Sequence, residues 1–165
     1  MEKRYGSPKR QDGIYKVGRN KYDLFYGFGK DNENDETGWN WYQRFDHQPS
    51  LDEIKETIVS QIKAESDERL RFGIQWNGFV VEYSETLKTD LIGIIVGLQG
   101  GLMSFPQKIN LGSNADGTPN TYTFTSLEEL GSLAALVGSH RSNCSDEEWK
   151  EIEALGDLEA YKEIQ

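Results

Sequence analysis

Aromatic and polar residues alternate through residues 21–28 (KYDLFYGF) and again through 39–45 (WNWYQRF). Alternation at a period of two, rich in aromatic side chains, predicts two strands. The turn-forming cluster DNENDETG between them predicts a hairpin with a long loop. The period then changes. Ser50 can cap a helix, Glu53 stands three residues on as its reciprocal partner, and Leu51, Ile54, Ile58 and Ile62 recur at three and four to make one apolar stripe. In 71–83 (RFGIQWNGFVVEY) the dipeptide Asn77-Gly78 supplies the two positive-φ positions of a type I′ turn. That turn pairs Trp76 with Phe79, Ile74 with Val81 and Phe72 with Tyr83 on one face. The other face carries Arg71, Gly73, Gln75, Val80 and Glu82. Ser84 caps a second helix striped by Leu87, Leu91, Ile94, Ile95 and Leu98, which ends at Gly100-Gly101. Short strands at 107–111 and 121–124 flank a turn at Asp116-Gly117. Two more capping boxes, Ser126 with Glu129 and Ser145 with Glu148, predict two separate helices. Their stripes are Leu127, Leu130, Leu133, Ala134 and Val137, and then Trp149, Ile152 and Leu155. The order of elements predicts an α+β fold of antiparallel hairpins with helices packed on one side. A boundary near 65–69 divides it into an N-terminal part (1–66, an aromatic hairpin plus helix with a basic arm at 1–20) and a second domain (67–165).

Composition sharpens this. Among 165 residues are 4 Trp, 8 Tyr and 7 Phe, so the apolar content sits in a few large side chains able to fill a core, which argues against disorder. The single cysteine, Cys144, cannot form an internal disulfide, and no apolar run approaches the length of a membrane helix. The N-terminus lacks the apolar segment of a signal peptide, so the chain is expected to be made and kept in a cytosol unless it leaves as part of something larger. The net charge is −10, yet residues 1–30 hold eight Lys/Arg against three Asp/Glu. An acidic body makes nucleic acid and anionic membrane poor partners. The basic arm reads as a solvated flexible terminus, with docking as the alternative.

The chain offers little chemistry. His140 and Cys144 stand four apart, but Ser142, Asn143 and Ser145 read as loop, and two ligands do not complete a metal site. Cys144 as a nucleophile would need a base and a positive setting, whereas Asp146, Glu147 and Glu148 raise its pKa. His47 has no second ligand near it. The GLQGG run (97–101) follows a helix and lacks the Lys and Ser/Thr of a phosphate loop. Asp31, Glu33 and Asp35 alternate like calcium ligands without the later Gly and bidentate Glu that such a site needs. The expectation is therefore no enzyme, no metal and no cofactor. Trp39 and Trp41 share a strand face and read as core. Exposed, they would be a stacking platform, and with Tyr42 they are the basis of an alternative, a small ligand- or carbohydrate-binding module.

The run IQWNGFVVEYSETLKTDLIGI, followed by DGTPNTYTFTSLEELGSLA and a further helix, resembles an uncharacterised domain of bacteriophage tail proteins and of products of genes near tail-fibre genes. The likeness covers roughly residues 70–155. It is carried by Trp76 and Gly78 at the hairpin tip, the helix start at Ser84, and Leu127, Leu130 and Leu133. This chain lacks a tryptophan in the strand before Asp116-Gly117. WNWYQRFDHQPSLDEIKETI is similar to stretches of virion proteins from gut bacteriophages. The resemblance implies a non-enzymatic structural or assembly protein of a virion, tail or tail-fibre associated, found in the particle or in host cytoplasm during assembly. It would act by protein–protein contact, as a homo-oligomer or with tail or fibre components. The candidate interaction surface joins Trp39, Trp41 and Tyr42 to the basic residues Lys3, Arg4, Lys9 and Arg10.

Overall fold

A computed structural model describes all residues, 1–165. The fold is α+β, 41% helix and 30% strand, with three α-helices and only antiparallel sheets. The chain divides into two compact units, Met1–Lys63 with Lys150–Gln165, and Ala64–Trp149.

The first unit is built on a four-stranded sheet of β1 (Glu2–Ser7), β2 (Gly13–Gly18), β3 (Lys21–Gly29) and β4 (Gly38–Phe45), in the order β1-β4-β3-β2. The strand period sets its faces. Tyr22, Leu24 and Tyr26 point to one side with Ile14, where Ile54, Ile58 and Ile62 of α1 (Leu51–Phe72) pack on them. Those isoleucines are essentially inaccessible to solvent, each worth about 1.5–3 kcal/mol of burial. Ser50 caps α1 as expected, its Oγ accepting from the Glu53 N–H at 3.2 Å. Asp23, Phe25 and Tyr42 point to the other side.

The basic arm is the first correction. Residues 1–20 are not a free terminus, because they form both edge strands, with Glu2–Tyr5 opposite Trp39–Tyr42 and Ile14 buried in the core. The second concerns 150–165, which the structure groups with the first unit rather than with 67–149. Leu158 and Tyr161 complete its core, and Gln165 pairs with β2.

The second unit starts inside α1, so 65–69 is helix rather than linker. Strands β5 (Ile74–Trp76) and β6 (Phe79–Val81) hold the expected register across Asn77 (φ 47) and Gly78 (φ 78). The third expected pair does not form. Phe72 lies in the last turn of α1 and is exposed, and Tyr83 instead donates its backbone N–H to the Arg71 carbonyl at 2.8 Å. Helix α2 (Glu85–Gln99) is capped by Ser84, whose Oγ accepts from Leu87 N–H at 3.0 Å. It leads to the hairpin β7 (Gln107–Ser113) and β8 (Pro119–Phe124). The two C-terminal helices foreseen from the sequence are one helix, α3 (Leu127–Glu153). Leu130, Leu133, Val137, His140 and Cys144 follow one another at three and four without a break, and this stripe overrides the capping signal at Ser145. Phe124, Leu130, Leu133 and Val81 centre the second core, closed by Trp76, Tyr122 and Phe124 in mutual ring contact. No helix is long and apolar enough to cross a membrane.

Candidate functional site

The residues proposed as one surface fall into three places. Trp39 and Trp41 stand edge to face, ring centroids 5.0 Å apart, both half-buried on the helix-packed side of β4. Lys3, on the neighbouring β1, sets its ammonium 4.1 Å from the Trp39 ring centroid and 3.8 Å from Asp31. Asp31 also accepts the Trp39 indole N–H at 3.1 Å and, by accepting from the Tyr5 hydroxyl, pushes that phenol's pKa up. One loop carboxylate thus ties β1 to the tryptophan pair. A Trp39 whose ring face carries a lysine and whose N–H is taken is a poor seat for a sugar.

Tyr42 lies on the opposite face. It is buried and donates its hydroxyl to Asp23 at 3.2 Å, while Arg4 stacks its guanidinium 4.7 Å above the ring. Asp23 is 4% exposed and receives two bonds from Arg44, 2.7 Å from Nε and 2.8 Å from Nη2, with Arg4 at 3.9 Å. The Arg44 fork holds this carboxyl below the usual carboxylate range, assisted by Tyr42. Lys9 and Arg10 belong to the β1–β2 turn. The Lys9 carbonyl accepts from Ser7 Oγ at 2.7 Å, and Arg10 bonds Asp12 at 2.7 Å.

His140 and Cys144 are one helical turn apart, not in a loop, with Sγ 3.7 Å from Nε2. That Nε2 sits 3.0 Å from the carbonyls of both Arg69 and Leu70, so it carries a proton and donates rather than accepting from the thiol. Burial and then Glu147 push the thiol's pKa up. His47 contacts Glu53 at 3.0 Å. No three His, Cys, Asp or Glu side chains are grouped to hold a metal.

Sequence reasoning missed the outer side of α2. Its buried side, Leu87 and Leu91, packs on the second core, yet Ile92 is 54% exposed and Val96 60%, and Leu102 and Met103 follow in the turn. A shallow open groove of about 650 Å³ runs beside them, lined by Thr86, Asp90, Gly93, Met103 and Lys108 among others. The signal was available. Residues 91–98 (LIGIIVGL) are apolar all round, and such a helix expects cover on every side. From 91 to 107 the chain carries no charge, its longest such stretch.

Comparison with protein-family models, with curated proteins and with solved structures finds no match in any of the three.

Proposed function

We propose that this protein is a non-enzymatic structural or assembly component of a bacteriophage particle, tail or tail-fibre associated, which works by protein–protein contact and self-associates through α2. The observation that carries the contact reading is the exposed, uncharged apolar surface of Ile92, Val96, Leu102 and Met103. Charge restricts where a second copy can cover it. Two chains of net charge −10 repel each other at most surfaces, and a two-fold axis sets a segment against itself. The uncharged 91–107 stretch avoids that repulsion. Gly93 leaves open space where a side chain would stand, so a partner helix can approach closely. Full burial of an aliphatic side chain is worth roughly 1.5–3 kcal/mol, of which covering the half still exposed on Ile92 and Val96 supplies a part, and a symmetric pair covers each of them twice. That compares with an association cost on the order of 4–15 kcal/mol. The phage assignment is supported by the hairpin, helix and turn motifs that suggested it.

Light scattering on the full chain tests the contact. A dimer is expected, and Ile92→Glu with Val96→Glu should give a folded monomer. A wild-type monomer at high concentration would overturn self-association. Mass spectrometry of purified particles tests the rest, because a chain absent from virions and from their assembly intermediates is not a virion component.

A further inference from the structure

Helix α1 covers one face of the four-stranded sheet. On an antiparallel sheet the other, solvated face is normally polar. Here it carries a row of rings: Tyr15 of β2 meets Phe25 of β3 with centroids 5.7 Å apart, and Phe25 meets Tyr42 of β4 at 5.4 Å. Tyr15 and Phe25 are half-buried, and Val17 is exposed. Residues 8–12 link the two edge strands β1 and β2 and are pinned on the way. Asn40, on the same face as Tyr42, accepts the Gln11 N–H at 2.9 Å, and Asp12 accepts the Gly27 N–H at 2.8 Å. The result is an open basin of about 330 Å³ lined by Arg4, Gln11, Tyr15, Val17, Asp23 and Phe25.

The polar groups of this basin are fixed from behind. Arg44 and Tyr42 hold Asp23 at 3.2 Å or less, and Arg4 meets that carboxylate only at 3.9 Å. Arg4, stacked on Tyr42 with its side chain 53% exposed, therefore keeps N–H donors for a ligand. Charge on the face is balanced, with Arg4 and Arg44 against Asp23 and Glu2, the last opposite Tyr42 in the register. A charged ligand gains no net attraction there. The lining suits a neutral one with an apolar side and a polar rim.

We infer that the basin binds a neutral pyranose unit of a glycan. A pyranose has a C–H face, which packs on Phe25 and Tyr15 beside Val17, and a rim of hydroxyls. The hydroxyls accept from the Arg4 guanidinium and both donate to and accept from the Gln11 side-chain amide. The volume is at the lower end for ligand sites, roughly 300–1,000 Å³, so it takes one ring and lets the sugar chain run on into solvent. This site lies on the face opposite Trp39 and Trp41, and it does not depend on contact through α2.

The test titrates the full-length, isotope-labelled chain with cellotetraose, maltotetraose and chitotetraose as neutral probes, and with tetragalacturonate and a glucosamine tetramer as charged ones. At least one neutral sugar should bind, shifting the amides of residues 11, 15, 17 and 25, with an affinity that salt leaves unchanged. Arg4→Met keeps a long side chain over Tyr42 and removes every donor, so it should weaken binding about tenfold or more. Phe25→Leu keeps apolar bulk and removes the ring, and should weaken it too. No response to any neutral sugar, a preference for a charged one, or shifts centred on Trp39 and Trp41 would each overturn the proposal, and these wild-type results decide it even if a variant fails to fold. The Ile92→Glu chain should bind the same sugar as wild type does, which separates failure here from failure of self-association through α2.

Discussion

The two units handle polarity differently. Buried polar groups concentrate in the first, where Ser7, Asp23, Asn40 and Gln61 lie, against Ser66 alone in the second, while the first unit's exposed large apolar residues are Tyr5, Val17, Leu51 and Ile164. Asn40 accepts from the Gln11 N–H at 2.9 Å and donates to the Lys9 carbonyl at 3.3 Å, so it ties the β1–β2 connection to β4. Asp23 does the same between strands through Arg44 and Tyr42. The second unit puts apolar groups outside, with Val80, Ile92, Val96, Leu102, Leu136 and Trp149 exposed. A buried polar group with its partners specifies one register and penalises any slip. An exposed apolar group specifies nothing within its own chain and is free to be covered by another. The contrast marks the first unit as the part whose internal geometry is pinned, and the second as the part that carries the proposed contact surface.

The largest test of that contrast lies in the second core. Phe124 is fully buried between Trp76 and Tyr122, and Phe124→Ala should cost about 3–5 kcal/mol, read as a lower denaturant midpoint. A loss under 1 kcal/mol would mean this core is as incomplete as its surface. Next is Asp23→Asn, which keeps the shape but removes the charge from its bonds with Arg44, at roughly 1–3 kcal/mol. Because folding lowers this pKa, the stability it supplies is present above the unfolded value near 4 and drains away as pH falls through the folded one. Wild type should lose stability more steeply than Asp23→Asn in that acid range, and parallel curves would remove the carboxylate from the explanation. Gly78→Val forces a branched side chain into positive φ (78) and should cost about 1–2 kcal/mol in thermal unfolding. The smallest effect on stability belongs to Ile92→Glu, within about 0.5 kcal/mol for the isolated chain, although it is expected to abolish the dimer.

The hairpins centred on 21–45 and 74–81 could be read directly, because alternation and turn chemistry are both local and Asn77-Gly78 admits few other structures. The strands of 1–20 could not. Lys3, Arg4 and Lys9 hide the alternation, and the strand character of β1 comes from its long-range pairing with β4. The helix across Ser145 was hidden by Ser142, Asn143 and the Ser145–Glu148 capping signal, although the three- and four-residue spacing of Leu133, Val137, His140 and Cys144 runs straight through them. The candidate surface was misassembled for a simpler reason. Tyr42 directly follows Trp41, and consecutive residues of a strand look to opposite faces, so the three aromatics could never have formed one patch.

The tryptophan pair has an optical consequence. Two indoles with centroids 5.0 Å apart at 60° couple their electronic transitions, which should add a signed couplet to the ultraviolet circular dichroism beyond what the backbone contributes. Lys3 of β1 rests on that pair, so the couplet reports on the strand edge without any label. A helix content read from the spectrum without allowing for the couplet would miss the 41% by its size.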